Sequence, residues 1–301
     1  MLRKFVLFFV SAVAFAQLPP TAEWAVHALN EYEVYPNLTY VTASNYEAKL
    51  DIYKRRDTAA PRPTIVWIHG GGWIIGTKEA ALMSLMPWFE MGWNVVNVEY
   101  RLGKIAPPPA AVEDAQCALR FVALQAKTYG FDMNRLVVSG DSAGGHLALA
   151  TGMIPESEGL ARQCTGGGPL GPELPLPKVA AIINWYGIPD VADLLEGDNR
   201  KTYAVQWFGS LPNRTELARR ISPLTYVRPG LPPILTIQGD ADPVVPYQQS
   251  LRLRDALTKA GVPNELVTVP GGGHGGFTAE ERSKIYLKIR EFLNQNGLGG
   301  V

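Results

Sequence analysis

Ser142 stands at the centre of Gly140-Asp141-Ser142-Ala143-Gly144. A serine hydroxyl is a weak nucleophile until a sharp turn lifts it into the open beside a base. Glycines at 140 and 144 leave room for so tight a bend. Alone the pattern is weak, because an ordinary strand-to-helix turn can carry it. An activated serine needs a base, and the base needs an orienting carboxylate. The chain has four histidines, so elimination is practicable. His27 lies in an N-terminal region with few structural signals. His69 ends an apolar run. His146 falls one turn past Ser142 and reads as packed under the bend. His274 lies in the flexible stretch Gly271-Gly272-Gly273-His274-Gly275-Gly276 and is the candidate base. The carboxylate is expected from the preceding loop, Gly239-Asp240-Ala241-Asp242-Pro243. Asp240 can serve the turn backbone. Asp242, deeper in the loop, is the preferred orienter.

A second cluster, His69-Gly70-Gly71-Gly72-Trp73, follows the apolar run at 63–69. Consecutive glycines leave backbone N–H groups uncovered, able to approach a ligand closely. Two phosphate motifs are excluded. Gly71 and Gly76 have P-loop spacing, but Thr77-Lys78 stands in reversed order, and Ile75 sits where a dinucleotide fingerprint needs its last glycine. A structural loop is one reading of the cluster. An oxyanion hole, which needs donors and no side chains, is the functional one.

These residues must be positioned by regular elements. The β-branched run 136–138 leads into the serine bend, and an Ala/Leu-rich helical pattern at 143–153 leads out. Alternating patterns at 38–42 and 47–53 predict edge strands or a hairpin. Strands are also predicted at 63–69, 93–100, 179–186, 233–238 and 265–269. Helices are predicted at 78–91, 110–129, 246–260 and 279–295. Strands alternating with helices argue an α/β fold, a mostly parallel central sheet with helices on both faces. The Gly/Pro-rich stretch 154–178 reads as a surface excursion. Residues 187–230 are too long for a plain connection and read as a small lid insert.

Leu2-Arg3-Lys4, the apolar run 5–15 and Ala14-Phe15-Ala16 read as a signal peptide cut after Ala16, with an uncleaved N-terminal anchor as the alternative, leaving residues 17–301 as one catalytic domain. That implies a secreted or periplasmic protein. No later stretch is long and apolar enough to be a membrane helix, so no stable membrane anchor is expected. The 28 basic and 28 acidic residues balance, which does not suggest a nucleic-acid partner. Cys117 falls in a helical pattern and Cys164 in a loop. In an exported protein they could pair, or stand as two separate thiols. Histidines so scattered make a zinc site improbable, and acyl transfer by a serine needs no cofactor.

The motifs together are specific. His69-Gly70-Gly71-Gly72-Trp73, Tyr100-Arg101-Leu102, Gly140-Asp141-Ser142-Ala143-Gly144, Gly239-x-x-Asp242 and Gly273-His274-Gly275 resemble those of an α/β-hydrolase of the hormone-sensitive-lipase and carbohydrate-esterase kind. The resemblance covers about 53–293. It implies the α/β-hydrolase fold, Ser142 as nucleophile, His274 as base and Asp242 as its orienter. It implies oxyanion donors at the N–H groups of Gly71, Gly72 and Ala143. The chain departs from the usual pattern at Gly276, an extra glycine before Phe277, and in a short N-terminal region that leaves little for a large helical cap. An open site would suit bulky or polymer-attached esters, including acetyl or feruloyl groups on plant polysaccharide. Trp73, Trp185, Tyr186, Trp207 and Phe277 are candidate walls of an acyl or aryl pocket, with core packing their commoner fate. The resulting expectation is a carboxylesterase, monomeric or homodimeric, for small-molecule or polysaccharide-linked esters. A lipase, an arylformamidase or a peptidase would use the same triad, and a non-catalytic binding module could occupy the same fold.

Overall fold

The computed structural model describes residues 19–56, 60–165 and 175–299. The expected leader, 1–16, lies outside them, as does part of the 154–178 stretch. In chain order the elements are α1 (Pro20–Glu31), β1 (Tyr32–Ala43), β2 (Tyr46–Arg55), β3 (Arg62–Ile68), α2 (Leu82–Glu90), β4 (Asn94–Val98), α3 (Ala110–Tyr129), β5 (Phe131–Asp141), α4 (Ala143–Met153), β6 (Ala181–Trp185), α5 (Thr202–Phe208), α6 (Arg214–Arg220), β7 (Ile234–Gly239), α7 (Gln248–Lys259), β8 (Asn264–Val269) and α8 (Ala279–Gln295).

The eight strands form one sheet in the order β1-β2-β4-β3-β5-β6-β7-β8. β1 and β2 pair antiparallel, as does β2 with β4, and every later pairing is parallel. The hairpin therefore closes one edge of a parallel sheet. Continuous apolar strands follow from burial on both faces. Val66 and Ile68 of β3 pack with Val138, Ile182 and the helices α3 and α4. Ile65 and Trp67 point the other way, toward Leu85 and Trp88 of α2 and Ile289 and Phe292 of α8. Arg101, just after β4, fastens its loop to α3 through Asp114, with Nη2 donating at 2.7 Å and the backbone N–H at 2.7 Å.

Three features differ from the sequence reading. α1 went unread in the sequence: none of its residues is fully buried, and Trp24 packs partly buried against the core on the α2/α8 side of the sheet. The stretch beginning at 154 is more than a surface excursion: Leu160, Ala161 and Cys164 are buried. Cys164 is disulfide-bonded to Cys117 on α3, which resolves the open question of their pairing. Closing a chain separation of 47 residues contributes roughly 2–4 kcal/mol, mainly by restricting the unfolded chain. The 187–230 insert carries α5 and α6 and buries Ala204, Trp207, Phe208, Ala218 and Ile221, so its inner side belongs to the core.

Candidate active site

Ser142 sits between β5 and α4 with φ 55° and ψ −119°, a backbone conformation that L residues rarely adopt. Its N–H donates to the Trp185 carbonyl at 2.9 Å, which holds the bend against β6. A Cβ on Gly140 would stand 2.4 Å from the Ile68 carbonyl oxygen, and one on Gly144 would stand 2.0 Å from it. The flanking glycines are thus required by the approach of β3, as well as by the turn itself.

Two loops at the same edge of the sheet meet this serine. β7 ends at Gly239, and the chain turns through Asp242. Its Oδ1 accepts the N–H groups of Val244 at 2.8 Å and Val245 at 3.0 Å. Its Oδ2 lies 2.7 Å from His274 Nδ1. An ionised carboxylate only accepts, so Nδ1 carries the proton and Nε2 is left to accept the Ser142 hydroxyl, 2.9 Å away. Burial works against the Asp242 charge. The hydrogen bond from His274 and the two backbone donors outweigh it and hold the carboxyl below the usual carboxylate range. Asp240 does other work, accepting the Gly271 N–H at 2.6 Å. The extra glycine region follows a defined path. Gly275 takes a φ of 76°, and Arg282 on α8 donates to the Gly275 carbonyl at 2.6 Å and the Phe277 carbonyl at 3.2 Å.

The glycine cluster lies beside the bend. The Gly70 N–H donates to Asp141 Oδ1 at 3.1 Å, tying the cluster to the residue before Ser142. Burial raises the Asp141 carboxyl above its ordinary value. The N–H groups of Ile74 and Ile75 both close onto the Gly71 carbonyl. Gly71 has φ 121°, and a Cβ there would meet the Ile75 carbonyl oxygen at 1.9 Å. Among the described residues, the N–H groups of Gly71, Gly72 and Ala143 donate to no protein acceptor. Ala143 opens α4, where first-turn N–H groups have no partner within the helix. His69 supports the cluster from below. Its Nδ1 donates to the Gly70 carbonyl at 2.7 Å, and its ring stacks on Tyr100 at 4.5 Å.

The five aromatic candidates separate. Trp73 and Trp207 are fully buried and stack at 4.2 Å beneath the glycine loop, so they do not wall a pocket. Trp73 takes a φ of 62°, and its indole is held in the interior by the stack on Trp207 and the hydrogen bond to His146. Trp185 is also a correction: it is buried on the α2/α8 face of the sheet, against Tyr286 at 5.5 Å. Phe277 is buried beside Tyr186, and the Tyr186 ring packs on the imidazole of His274 at 4.6 Å. His146 lies under the bend, as its place in the sequence suggests. Its Nδ1 accepts Trp73 Nε1–H at 3.1 Å, and its Nε2 donates to the Ile221 carbonyl at 2.7 Å.

Three residues at the site went unread in the sequence. Asp141 anchors the glycine loop. Arg282 clamps the loop after His274. Tyr203 of α5 lies against Gly72, 3.1 Å from where a Cβ there would be, and donates its hydroxyl to the Val244 carbonyl at 3.3 Å. Their only sequence signal was position, next to a motif or inside the long insert.

Comparison with known proteins then places the chain. The sequence profile of BD-FAE matches residues 50–257. The chain belongs to the BD-FAE family. The match takes in the glycine cluster, the serine bend and the Asp242 loop. Esterase LipQ of Mycobacterium tuberculosis is 30% identical over 259 residues, 82% of this chain and 59% of that protein. The chain spans a little over half the length of LipQ and of esterase LipC of the same organism. Among solved structures, a truncated carbohydrate esterase from gut microbiota superposes with a TM-score of 0.72 at 27% identity, covering 89% of this chain and 98% of that one. The apo form of Thermogutta terrifontis esterase 2 gives a TM-score of 0.73 at 28% identity, covering 90% and 97%. The sheet order and these likenesses give this BD-FAE chain the α/β-hydrolase fold.

Proposed function

We propose that the protein is a serine carboxylesterase in which Ser142, His274 and Asp242 act as nucleophile, base and orienter. One observation carries this reading: the unbroken line from Asp242 Oδ2 through both nitrogens of His274 to Ser142 Oγ, at 2.7 Å and 2.9 Å. Family membership and the esterase names of the relatives support it.

The reaction runs in two steps. Ser142 Oγ attacks the ester carbonyl while its proton passes to His274 Nε2. Asp242 stabilises the imidazolium that results. The carbonyl oxygen becomes an oxyanion, met by the N–H groups of Gly71, Gly72 and Ala143. Collapse breaks the bond to the alcohol, which leaves with the proton from His274. Water, deprotonated by His274, then attacks the acyl-serine and releases the acid. Losing one oxyanion donor typically costs about 10²–10³ in turnover.

The preferred substrates are short-chain or aryl esters, with acetyl or feruloyl esters of polysaccharide as the natural class. The carbohydrate esterase among the structural relatives supports that class. Export, with removal of 1–16 and residues 17–301 acting as one catalytic domain capped by the 187–230 insert, is supported by the leader pattern and the Cys117–Cys164 disulfide. A panel of 4-nitrophenyl acetate, butyrate and laurate, methyl ferulate and acetylated xylan tests the assignment. Turnover of the short esters, lost in Ser142→Ala, is the expected result. A preference for laurate would move the protein to the lipases. No turnover of any ester would favour a binding role.

A further inference from the structure

Tyr186 adopts a backbone conformation that a tyrosine takes only under constraint. Its φ is 38°, in the left-handed region that a Cβ disfavours. Glycine would be the ordinary choice at such a turn. The anchors of this turn are specific. The preceding carbonyl, of Trp185, accepts the Ser142 N–H at 2.9 Å, and the Tyr186 N–H donates to the Ile237 carbonyl at 2.7 Å. The turn is therefore fastened to the serine bend on one side and to β7, which leads to Asp242, on the other.

The ring delivered by this turn packs on His274, with centroids 4.6 Å apart and planes at 60°. It also meets Phe277 edge-on at 6.0 Å. Its hydroxyl oxygen lies 2.4 Å from where a Cβ on Gly275 would stand, so the loop after His274 is moulded around it. Burial holds the phenol neutral, well above its ordinary range. A proton-transfer role is thereby disfavoured, and the contact with His274 is one of packing.

The imidazole turns about its Cβ–Cγ bond unless its surroundings hold it. Asp242 and Ser142 engage Nδ1 and Nε2 along its edge. The Tyr186 ring packs on the imidazole itself, a contact that the two hydrogen bonds do not supply. We propose that Tyr186 is a positioning residue for His274, its ring fixing the plane of the imidazole, and that the left-handed backbone at 186 is retained because it delivers the ring there. Strain of this kind gathers where the surroundings hold a residue in a functional pose. The inference rests on the serine-esterase reading above.

The experiment compares wild type, Tyr186→Phe, Tyr186→Ala, Tyr186→Gly and Ser142→Ala on 4-nitrophenyl acetate, with a thermal unfolding midpoint for each. Tyr186→Ala and Tyr186→Gly are expected to lose about 10–100-fold in kcat, the cost of a base misaligned by an ångström or less. KM is expected to stay within about threefold, because the loss falls on the transition state. Tyr186→Phe, which keeps the ring, is expected to keep most of the rate. Tyr186→Gly relieves the backbone, so it is expected to melt above Tyr186→Ala while being as slow. A purely structural role would instead make rate follow melting temperature. Full kcat in the folded Tyr186→Ala or Tyr186→Gly would overturn the proposal, as would a Tyr186→Phe enzyme as slow as Tyr186→Ala. Activity surviving in Ser142→Ala would overturn the esterase reading on which it stands, a separate failure.

Discussion

Two histidines flank the serine bend, and the contrast between them shows what the site requires. His146 lies on α4, one turn from Ser142 in the chain. His274 comes 132 residues later, from the loop after β8. Both rings have both nitrogens engaged. His146 accepts from the Trp73 indole and donates to the Ile221 carbonyl. These partners are complete for a neutral imidazole, and neither can exchange a proton at ordinary pH. Burial pushes the His146 pKa down to about 4, against the Ile221 carbonyl, which favours the charge. His274 instead lies between the Ser142 hydroxyl and the Asp242 carboxylate, which on the proposed reading give up a proton and stabilise the cation that forms. Its side chain keeps 19% exposure at the edge of the sheet. Closeness in sequence therefore does not decide which histidine meets the Ser142 hydroxyl, and on the proposed reading it is the partners of His274 that suit it as base.

The largest effect should separate the two directly. His274→Ala is expected to lower kcat/KM by about 10³–10⁶ while leaving the melting temperature within a few degrees. His146→Ala is expected to do the reverse in kind, lowering the melting temperature strongly because it opens a cavity and strands the Trp73 indole. Steady-state kinetics and thermal unfolding on the same two proteins check both halves. Equal losses of activity in two well-folded variants would break the contrast.

Asp242→Asn sharpens it next. An amide presents its NH₂ or its oxygen to Nδ1 and no longer enforces the tautomer, so turnover is expected to fall by about 10⁴ with the fold intact. The measurement is kcat for a 4-nitrophenyl ester at neutral pH. Trp73→Phe tests the buried histidine from its other side. It removes the donor to His146 Nδ1 and is expected to cost about 1–3 kcal/mol in denaturant unfolding.

The smallest effect at neutral pH is one of linkage. His146 has a folded pKa of about 4 against an ordinary 6.5, so the unfolded chain binds the extra proton between those values. Its contribution to stability is whole above pH 6.5 and is lost as pH falls toward 4. The slope from this one group reaches about 1.4 kcal/mol per pH unit. Denaturant unfolding of wild type and His146→Gln across that window is expected to show a shallower acid loss in the variant.

The bend and the glycine loop were legible in the sequence because close backbone approaches call for glycines there. Gly140, Gly144 and Gly71 are fixed by close backbone approaches, and such positions mark the bend and the donor loop without any structure. His274 emerged by elimination among four histidines, and Asp242 by depth in its loop. Aromatic identity carried less. Trp73, Trp185 and Trp207 announce large apolar surface but not the face that hides it. Trp73 is buried against Trp207 and His146, and Trp185 falls on the α2/α8 side of the sheet. α1 was illegible because it buries no residue fully, and Tyr186, read only as a candidate pocket wall, because its contact is with a residue 88 positions away. The Arg282 clamp and the tie from Asp141 to Gly70 are likewise products of folding, visible only once the loops are side by side.

The central claim is that His274, held by Asp242, activates Ser142. It is tested most directly by covalent labelling with diethyl 4-nitrophenyl phosphate, followed by peptide mass spectrometry. The account predicts one phosphoryl group per chain, on Ser142, formed rapidly in the wild type and slower by orders of magnitude in His274→Ala. Labelling of another residue, or an undiminished rate in His274→Ala, would contradict it.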